Sequence, residues 1–400
     1  MSAAAAPRGW QGGWAQGLGY GGLGLPLAFV ALLLSARLLD AVADPWIGRW
    51  ADGWFASSMT RVLGVALVAA LVLAAGFRGL FFPAVQGTTA LLVWCAALLA
   101  VTYLSYSVLS VIHQAWGARL GGDEDQRASI VSWREGPALV GVLVASVLPS
   151  LAGLSVASVV FTLALATALA LLARAPQPRL HAAAAGAPDL AAPWASAGFR
   201  RLLVIFLVNG VASAVPATLV LFFIRDRLQA AAYEPLFLAS YFAAGALSMP
   251  LWVRAVSRFG LARTWGAGMV LAIVTFAWSA LLGSGDVVAY TAVCVASGIA
   301  LGADLALPGA LLAGVIQRAG HGQRLEGAYF GWWNFATKLN LALAAGIALP
   351  LLGAFGYTPG SQDAGALQAL TTAYCLLPCL LKLAAAALLW TLWIRNEGSP

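Results

Sequence analysis

At 400 residues the chain has the length of two or three soluble domains of about 150 residues each. Its composition excludes that: 62% of the residues are hydrophobic and 9% charged, where soluble domains run near about 45–50% apolar and about 25% charged. Disordered chains, secreted disulfide scaffolds and soluble nucleic-acid binders are excluded as well, because each needs far more polar or cysteine residues than are present. The net charge of +7 therefore has to be understood from where the charges lie, not as an affinity for nucleic acid.

Apolar stretches of about 20 residues can cross a bilayer as helices. Charged punctuation marks off eleven: 17–43, 61–83, 88–113, 131–151, 154–173, 200–224, 233–253, 264–283, 287–316, 327–353 and 367–393. Helix is required because lipid offers no partner to an open backbone, and no period-2 alternation suggests a barrel. The expected fold class is therefore all-α and polytopic. No cleavable leader is expected, since the first sixteen residues are rich in Ala, Gly and Trp around a single Arg.

Of the 22 Lys and Arg residues, fifteen fall in alternate gaps, from Arg49 and Arg61 through Arg119, Arg127 and Arg134 to Arg395. The intervening gaps hold only Arg78, Arg225 and Arg227. The positive-inside rule makes the basic gaps cytoplasmic, and the C-terminus with them, as for a multi-pass protein of the inner (plasma) membrane. Residues 175–199, rich in Pro and Ala, read as a cytoplasmic linker between an N-terminal bundle, 1–174, and a C-terminal bundle, 200–400. Cys95, Cys294, Cys375 and Cys379 lie within spans without His or acidic partners, so packing is expected of them and no metal.

Asp44-Pro45-Trp46-Ile47-Gly48-Arg49 and Met249-Pro250-Leu251-Trp252-Val253-Arg254 each close a span with Pro and then Arg four residues later. Parallel halves of a transporter would produce such a repeat. Two spans precede the feature in the second half and one in the first, so the first half is expected to be about one helix short of twelve. Residues 20–30 resemble the opening of a first helix and Leu32 to Ala43 the end of a second, joined without a loop.

An ionisable residue inside a span costs roughly 2.5–3.5 kcal/mol on insertion scales and is a functional hypothesis by default. Asp40 and Asp44 are four residues apart on one helix face, with Arg37 one turn earlier. Paired carboxylates are the chemistry of a Na⁺ or H⁺ site, and Lys338 is the counter-charge in its span. Asp304, four residues before Pro308, is expected to face a substrate or proton, or else to be a buried hydrogen-bonded Asp. Lys382 is expected to be structural, snorkelling from the last span. His113 would either read a polar substrate or anchor the interface.

These residues resemble a known family. The segment ARLLDAVADPWIGRWADGW, Ala36 to Trp54, is similar to the second-helix signature of the glycoside–pentoside–hexuronide:cation symporters, the melibiose permease group of the major facilitator superfamily. Arg37, Asp40, Asp44, Pro45 and Gly48 fill its positions. NFATKLNLALAAGIALPLLGAFGY, Asn334 to Tyr357, resembles the eleventh helix, and LGGDEDQRASIVSWREG, Leu120 to Gly136, the loop between helices four and five. The resemblance implies a two-bundle carrier working by alternating access, with Asp40 and Asp44 as cation ligands, Lys338 as their partner and Arg37 beside them. It implies a gating loop in which Gly48 and Asp52 clamp neighbouring helices. The family's sugar-binding acids fall near Ala28 and Ser110, so galactoside specificity does not carry over. Arg134 sits where an arginine linked to sugar binding occurs, and Trp116 and Trp333 are candidates for stacking on a ring.

The expected function is thus Na⁺- or H⁺-coupled symport of a small solute, of the sugar or glycoside class. Its expected partners are that solute and the lipid bilayer, with no cofactor, no nucleic acid and a monomer sufficient. The alternative is a non-transporting sensor or scaffold left by loss of an N-terminal helix. A membrane-embedded enzyme is disfavoured because no HExxH, GxSxG or phosphate-binding Gly-rich loop occurs.

Overall fold

The computed structural model describes residues 24–178 and 190–396. Among the described residues the chain is helical, with no strand. The long helices are α1 (Gly24–Ser57), α2 (Met59–Phe81), α3 (Thr88–Arg119) and α4 (Glu124–Arg174). They continue as α5 (Ala197–Arg227), α6 (Ala231–Phe259), α7 (Leu261–Ser279), α8 (Val287–Arg318), α9 (Glu326–Ala354) and α10 (Ala364–Leu392). Helices α2 to α10 are each long and apolar enough to cross a membrane. Their outward side chains are large and apolar, with Leu247 81% and Leu151 80% exposed, as lipid contact requires.

Helix α4 has 51 residues, about 76 Å at 1.5 Å per residue and more than twice a hydrocarbon core of about 30 Å. Gly153 resolves the mismatch with φ 81° and ψ 164°, a left-handed conformation open to glycine at little cost. It divides α4 into two crossings, on either side of which lie the predicted spans 131–151 and 154–173. With that break the ten rods supply eleven segments.

Helix α1 departs from expectation at its end. The sequence places the end of the first span at Ala43, before Asp44-Pro45, but the helix runs on to Ser57 with Pro45 inside it. It continues because its polar residues have protein partners: Asp44 and Asp52 are 0% and 1% exposed and face α3 and α9. The predicted joint between a first and a second helix lies within one continuous helix from Gly24 onward. Residues 17–23 of that span and 179–189 of the predicted linker lie outside the described residues. Five segments precede Ala175 and six follow Ser196, so α5 has no counterpart among the described residues.

Two sets of contacts join the early helices to the late ones: α1 and α3 lie on α9, and α4 lies on α6 and α8. The α1–α9 contact is backbone to backbone. A Cβ on Gly48 would stand 2.1 Å from the Gly327 carbonyl oxygen, and one on Gly331 would stand 2.5 Å from that of Asp44. Small residues thus permit the approach, as at other membrane helix pairs. Gly48→Val is expected to force the helices apart and lower stability by about 1–3 kcal/mol. The melting temperature of the purified chain measures this; an unchanged value would show that the contact tolerates separation.

The chain alternates direction, so the α1–α2, α3–α4, α4–α5, α6–α7 and α8–α9 connections lie at one end, the arginine-rich end. Direct bonds tie that end together. Glu124 Oε2 accepts from the Leu261 amide at 2.8 Å, and Arg127 donates to Gln317 Oε1 at 2.8 Å. The Trp332 indole donates to the Leu190 carbonyl at 3.0 Å.

Candidate functional site

One face of α1 organises the interface with α9. Asp40, Asp44, Gly48 and Asp52 recur every four residues and so form a stripe about 18 Å long. Helix α9 runs antiparallel to it and presents Lys338, Gly331 and its own N-terminus in turn.

At one end of the stripe, Lys338 Nζ lies 2.7 Å from Oδ2 of Asp40 and 2.7 Å from Oδ2 of Asp44. Ser107 of α3 completes the cluster: its hydroxyl donates to Asp40 Oδ1 at 2.6 Å and accepts from Lys338 at 2.8 Å. Asp40 and Asp44 are buried, while the Lys338 side chain retains 23% exposure. Asp44 is fully buried and meets the same ammonium at 2.7 Å. Two carboxylates and one ammonium sum to −1 when ionised. Among the described side chains of the cluster that is a net charge in a low-dielectric site, which a monovalent cation would cancel. Arg37 is on α1 one turn before Asp40; its side chain lies outside the described residues.

At the other end, Asp52 accepts from the Gly327 and Ala328 amides at 2.7 and 2.8 Å. These are orphan donors of the first turn of α9, where the helix dipole also favours an anion. Arg119 from the end of α3 lies 2.6 Å from Asp52 Oδ1 and 3.2 Å from Glu326 Oε2, and donates to the Gln323 carbonyl at 2.7 Å. Its guanidinium also sits 4.5 Å from the Phe55 ring centroid. The clamp is buried throughout, with Arg119 at 3% exposure, and it closes the arginine-rich end between the two halves.

A third cluster lies within the later helices. Asp304 of α8 is 2.6 Å from Lys382 of α10. Its oxygens also accept from Asn209 at 3.2 Å, Ser213 at 3.2 Å and the Trp265 indole at 3.0 Å. Lys382 donates further to Ser213 Oγ at 2.9 Å. This corrects the reading of Lys382 as a snorkelling residue. Its side chain is 7% exposed and turns into the bundle, because a buried carboxylate there offers a better partner than the interface. Lys382→Ala is expected to cost about 3–5 kcal/mol by stranding Asp304. Much of that should be regained in Lys382→Met with Asp304→Asn, as thermal unfolding of the single and double variants would show.

The other predicted solute contacts do not converge. Trp116 is 2% exposed, with its indole on the Pro176 carbonyl at 2.9 Å and its ring edge-on to Phe55. Trp333 is 6% exposed and stacks on Phe206 at 3.8 Å. Neither ring has a free face for a solute, because each already fills a core position. Ser110 accepts from Gln114 at 3.0 Å, and His113 is exposed on α3 outside the charged cluster. Arg134 pairs with Glu135 at 2.8 Å and lies along α8 beside Gly309. Sequence reasoning missed Ser107, Arg119, Glu326, Asn209, Ser213 and Trp265. Of these only Arg119 and Glu326 carried a signal, as charges at helix ends.

A polytopic bundle whose early and late helices meet around buried charges defines a carrier of the major facilitator type. The chain belongs to the MFS/sugar transport protein family, whose model matches residues 21–396. No curated protein sequence matches it. Among solved structures it is similar to a Major Facilitator Superfamily transporter, FucP, in the outward conformation, at TM-score 0.63 and 12% identity over 89% of each chain. A bacterial homologue of the iron transporter ferroportin in the outward-facing state gives 0.62 and 16% over 90% of each chain. The human organic anion transporter gives 0.63 and 16%, covering 94% of this chain and 89% of its own. At these identities the likeness is one of fold.

Proposed function

We propose that the protein is a Na⁺- or H⁺-coupled symporter of a small solute of the sugar or glycoside class, akin to the melibiose permease group. The observation that carries this reading is the cluster of Asp40, Asp44, Ser107 and Lys338. Its described side chains sum to −1 when ionised, it joins α1 and α3 to α9, and one lysine serves both buried carboxylates.

Lys338 bridges the two carboxylates and ties the halves together. A cation entering beside Asp44 neutralises the excess charge and competes with Lys338, which weakens the tie. Occupancy is thereby linked to the relative position of α1 and α9, as alternating access requires. The sequence's charge order assigns the arginine-rich end to the cytoplasm of an inner-membrane protein. The Asp52–Arg119–Glu326 clamp is then the cytoplasmic gate, closed in this structure. Each cluster is built from one chain, so a monomer suffices. Asp304 with Lys382 sums to zero and has its oxygens occupied by donors, and so is not the coupling site.

The test is uptake by vesicles holding the protein, from a panel of radiolabelled mono- and disaccharides, under an imposed Na⁺ gradient or pH gradient. Gradient-dependent accumulation that is lost in Asp40→Asn is the expected result. Flux that ignores both gradients and is unaltered by the substitution would sink the reading.

A further inference from the structure

A cavity of about 170 Å³ lies among α5, α6, α7, α8 and α10, and among the described residues none of α1, α3 or α9 lines it. Most of its wall is apolar or aromatic, with Phe237, Tyr241, Phe276, Tyr290 and Tyr374 contributing rings, and the Asp304–Lys382 pair lines it too. The polar groups that reach it are nearly all committed. Tyr290 and Tyr374 bond each other through their hydroxyls at 2.7 Å, and Ser297 donates to the Val293 carbonyl at 2.7 Å. Asp304 takes its four donors as described. Besides the second hydroxyl proton of the Tyr290–Tyr374 pair and the weakly donating Cys294 thiol, two donors are left among the described residues. One is the third proton of Lys382, whose other two go to Asp304 and Ser213. The other is the Tyr241 hydroxyl, which has no hydrogen-bond partner.

We propose that this cavity is a binding site for a small uncharged molecule with an apolar or aromatic body and one hydrogen-bond acceptor, of the alcohol, ketone or phenol class. Three features select that chemistry. The ion pair at the wall is already neutral, so a charged ligand would leave an uncompensated charge among apolar side chains. A sugar would bring several hydroxyls to a mostly apolar wall with few free donors, and each one left unpaired carries its full desolvation cost. The rings supply a slot for a flat apolar body, as ligand sites with few convergent polar groups do. The site is separate from the Asp40–Asp44–Lys338 cluster, so it can be occupied while the proposed coupling site is empty. It suits either a solute other than a sugar or a modulator that stiffens α5 to α8 with α10.

The probe is 4-fluorobenzyl alcohol, followed by ¹⁹F NMR on the purified full chain in fluorine-free detergent, with 4-fluorotoluene and 4-fluorobenzoate as comparators. Saturable binding of the alcohol, competed by benzyl alcohol, is expected in the wild type. It should vanish in Ala217→Trp, where an exposed cavity-lining residue gains an indole while Lys382 is untouched. In the paired variant Lys382→Met with Asp304→Asn the alcohol should bind about tenfold more weakly, and the toluene with unchanged affinity. Non-saturable partitioning that is identical in all three proteins would overturn the proposal. So would a benzoate that binds more tightly than the alcohol and is displaced by it, since the site would then select an anion. The circular dichroism spectrum of each variant confirms that binding is lost from a folded protein.

Discussion

Asp44→Asn is expected to abolish accumulation against a gradient while leaving the protein folded. The amide is nearly isosteric, and Lys338 keeps Asp40 and Ser107 as partners at 2.7 and 2.8 Å. What changes is the charge, since the cluster goes from −1 to 0. That is the charge of the cation-loaded state, so the carrier should behave as permanently loaded. Gradient-driven accumulation should fall on the order of 100-fold, within the range of coupling free energies between linked sites. Exchange of labelled for unlabelled solute across the membrane, which needs no net cation movement, should persist. Vesicles assayed in both modes separate these outcomes. Loss of both accumulation and exchange would mean that Asp44 holds the structure or the solute and not the coupling ion. A second readout needs no solute: Na⁺ or a pH change should shift the melting temperature of the wild type and not that of the variant.

Asp52→Ala should open the arginine-rich end. Asp52 satisfies two backbone donors at the start of α9 and pairs with Arg119 in a site from which water is excluded. Removing one partner of a buried pair costs about 3–5 kcal/mol because the other charge is stranded. The two amide contacts cross from α1 to α9, whereas the Asp52–Arg119 pair joins α1 to α3 within the early half, so the share of the penalty carried by the α9 amides falls on the closed arrangement alone. The balance between closed and open forms should therefore shift on the order of 100-fold toward open. Spin labels on α2 and α7 at that end should report a longer distance in Asp52→Ala than in the wild type. An unchanged distance with a lowered melting temperature would make the clamp a fastening of the fold and not a gate. Asp44 and Asp52 lie on one face of α1, so the two substitutions should also interact. Cation at the first site biases the same helix pair that the clamp holds shut.

Much of the architecture was legible from local pattern. The hydrocarbon thickness sets span length, and lipid forces the backbone to close its own hydrogen bonds, so apolar runs alone marked nearly every helix. The exception at α1 has a physical cause. A local reading treats Asp44, Pro45, Arg49 and Asp52 as the end of a span, and it cannot see that α3 and α9 supply partners that keep the helix going. Gly153 has the converse history: the gap between spans was visible, but not that a single left-handed residue would make it.

The charged residues divide along the same line. Asp40 and Asp44 were conspicuous together because both lie on one helix at a spacing of one turn. Lys338 was conspicuous because a charge within an apolar span is costly wherever it points. Lys382 was equally costly, yet it was misjudged, since nothing within its own helix distinguishes a lysine that reaches the interface from one that reaches Asp304. Ser107 and Ser213 each bridge a lysine to an aspartate, and serines in a membrane helix are too common to attract notice. Trp116 and Trp333 looked like stacking platforms because aromatic rings serve that purpose in exposed sites, and only packing shows that their faces are taken.

Composition and the order of charges were thus sufficient for the class of fold and for the cost of placing Asp40, Asp44, Asp304, Lys338 and Lys382 in a membrane, because both are properties of single segments in a low-dielectric solvent. Which charge meets which was settled only when α9 packed across α1 and when α10, packed on α5 and α7, brought Lys382 to Asp304 of α8. Pairing joins residues 78 to 298 positions apart, and its sign sum, −1 in the Asp40–Asp44–Lys338 cluster and 0 within the later bundle, belongs to the assembled cluster and to no segment of the chain.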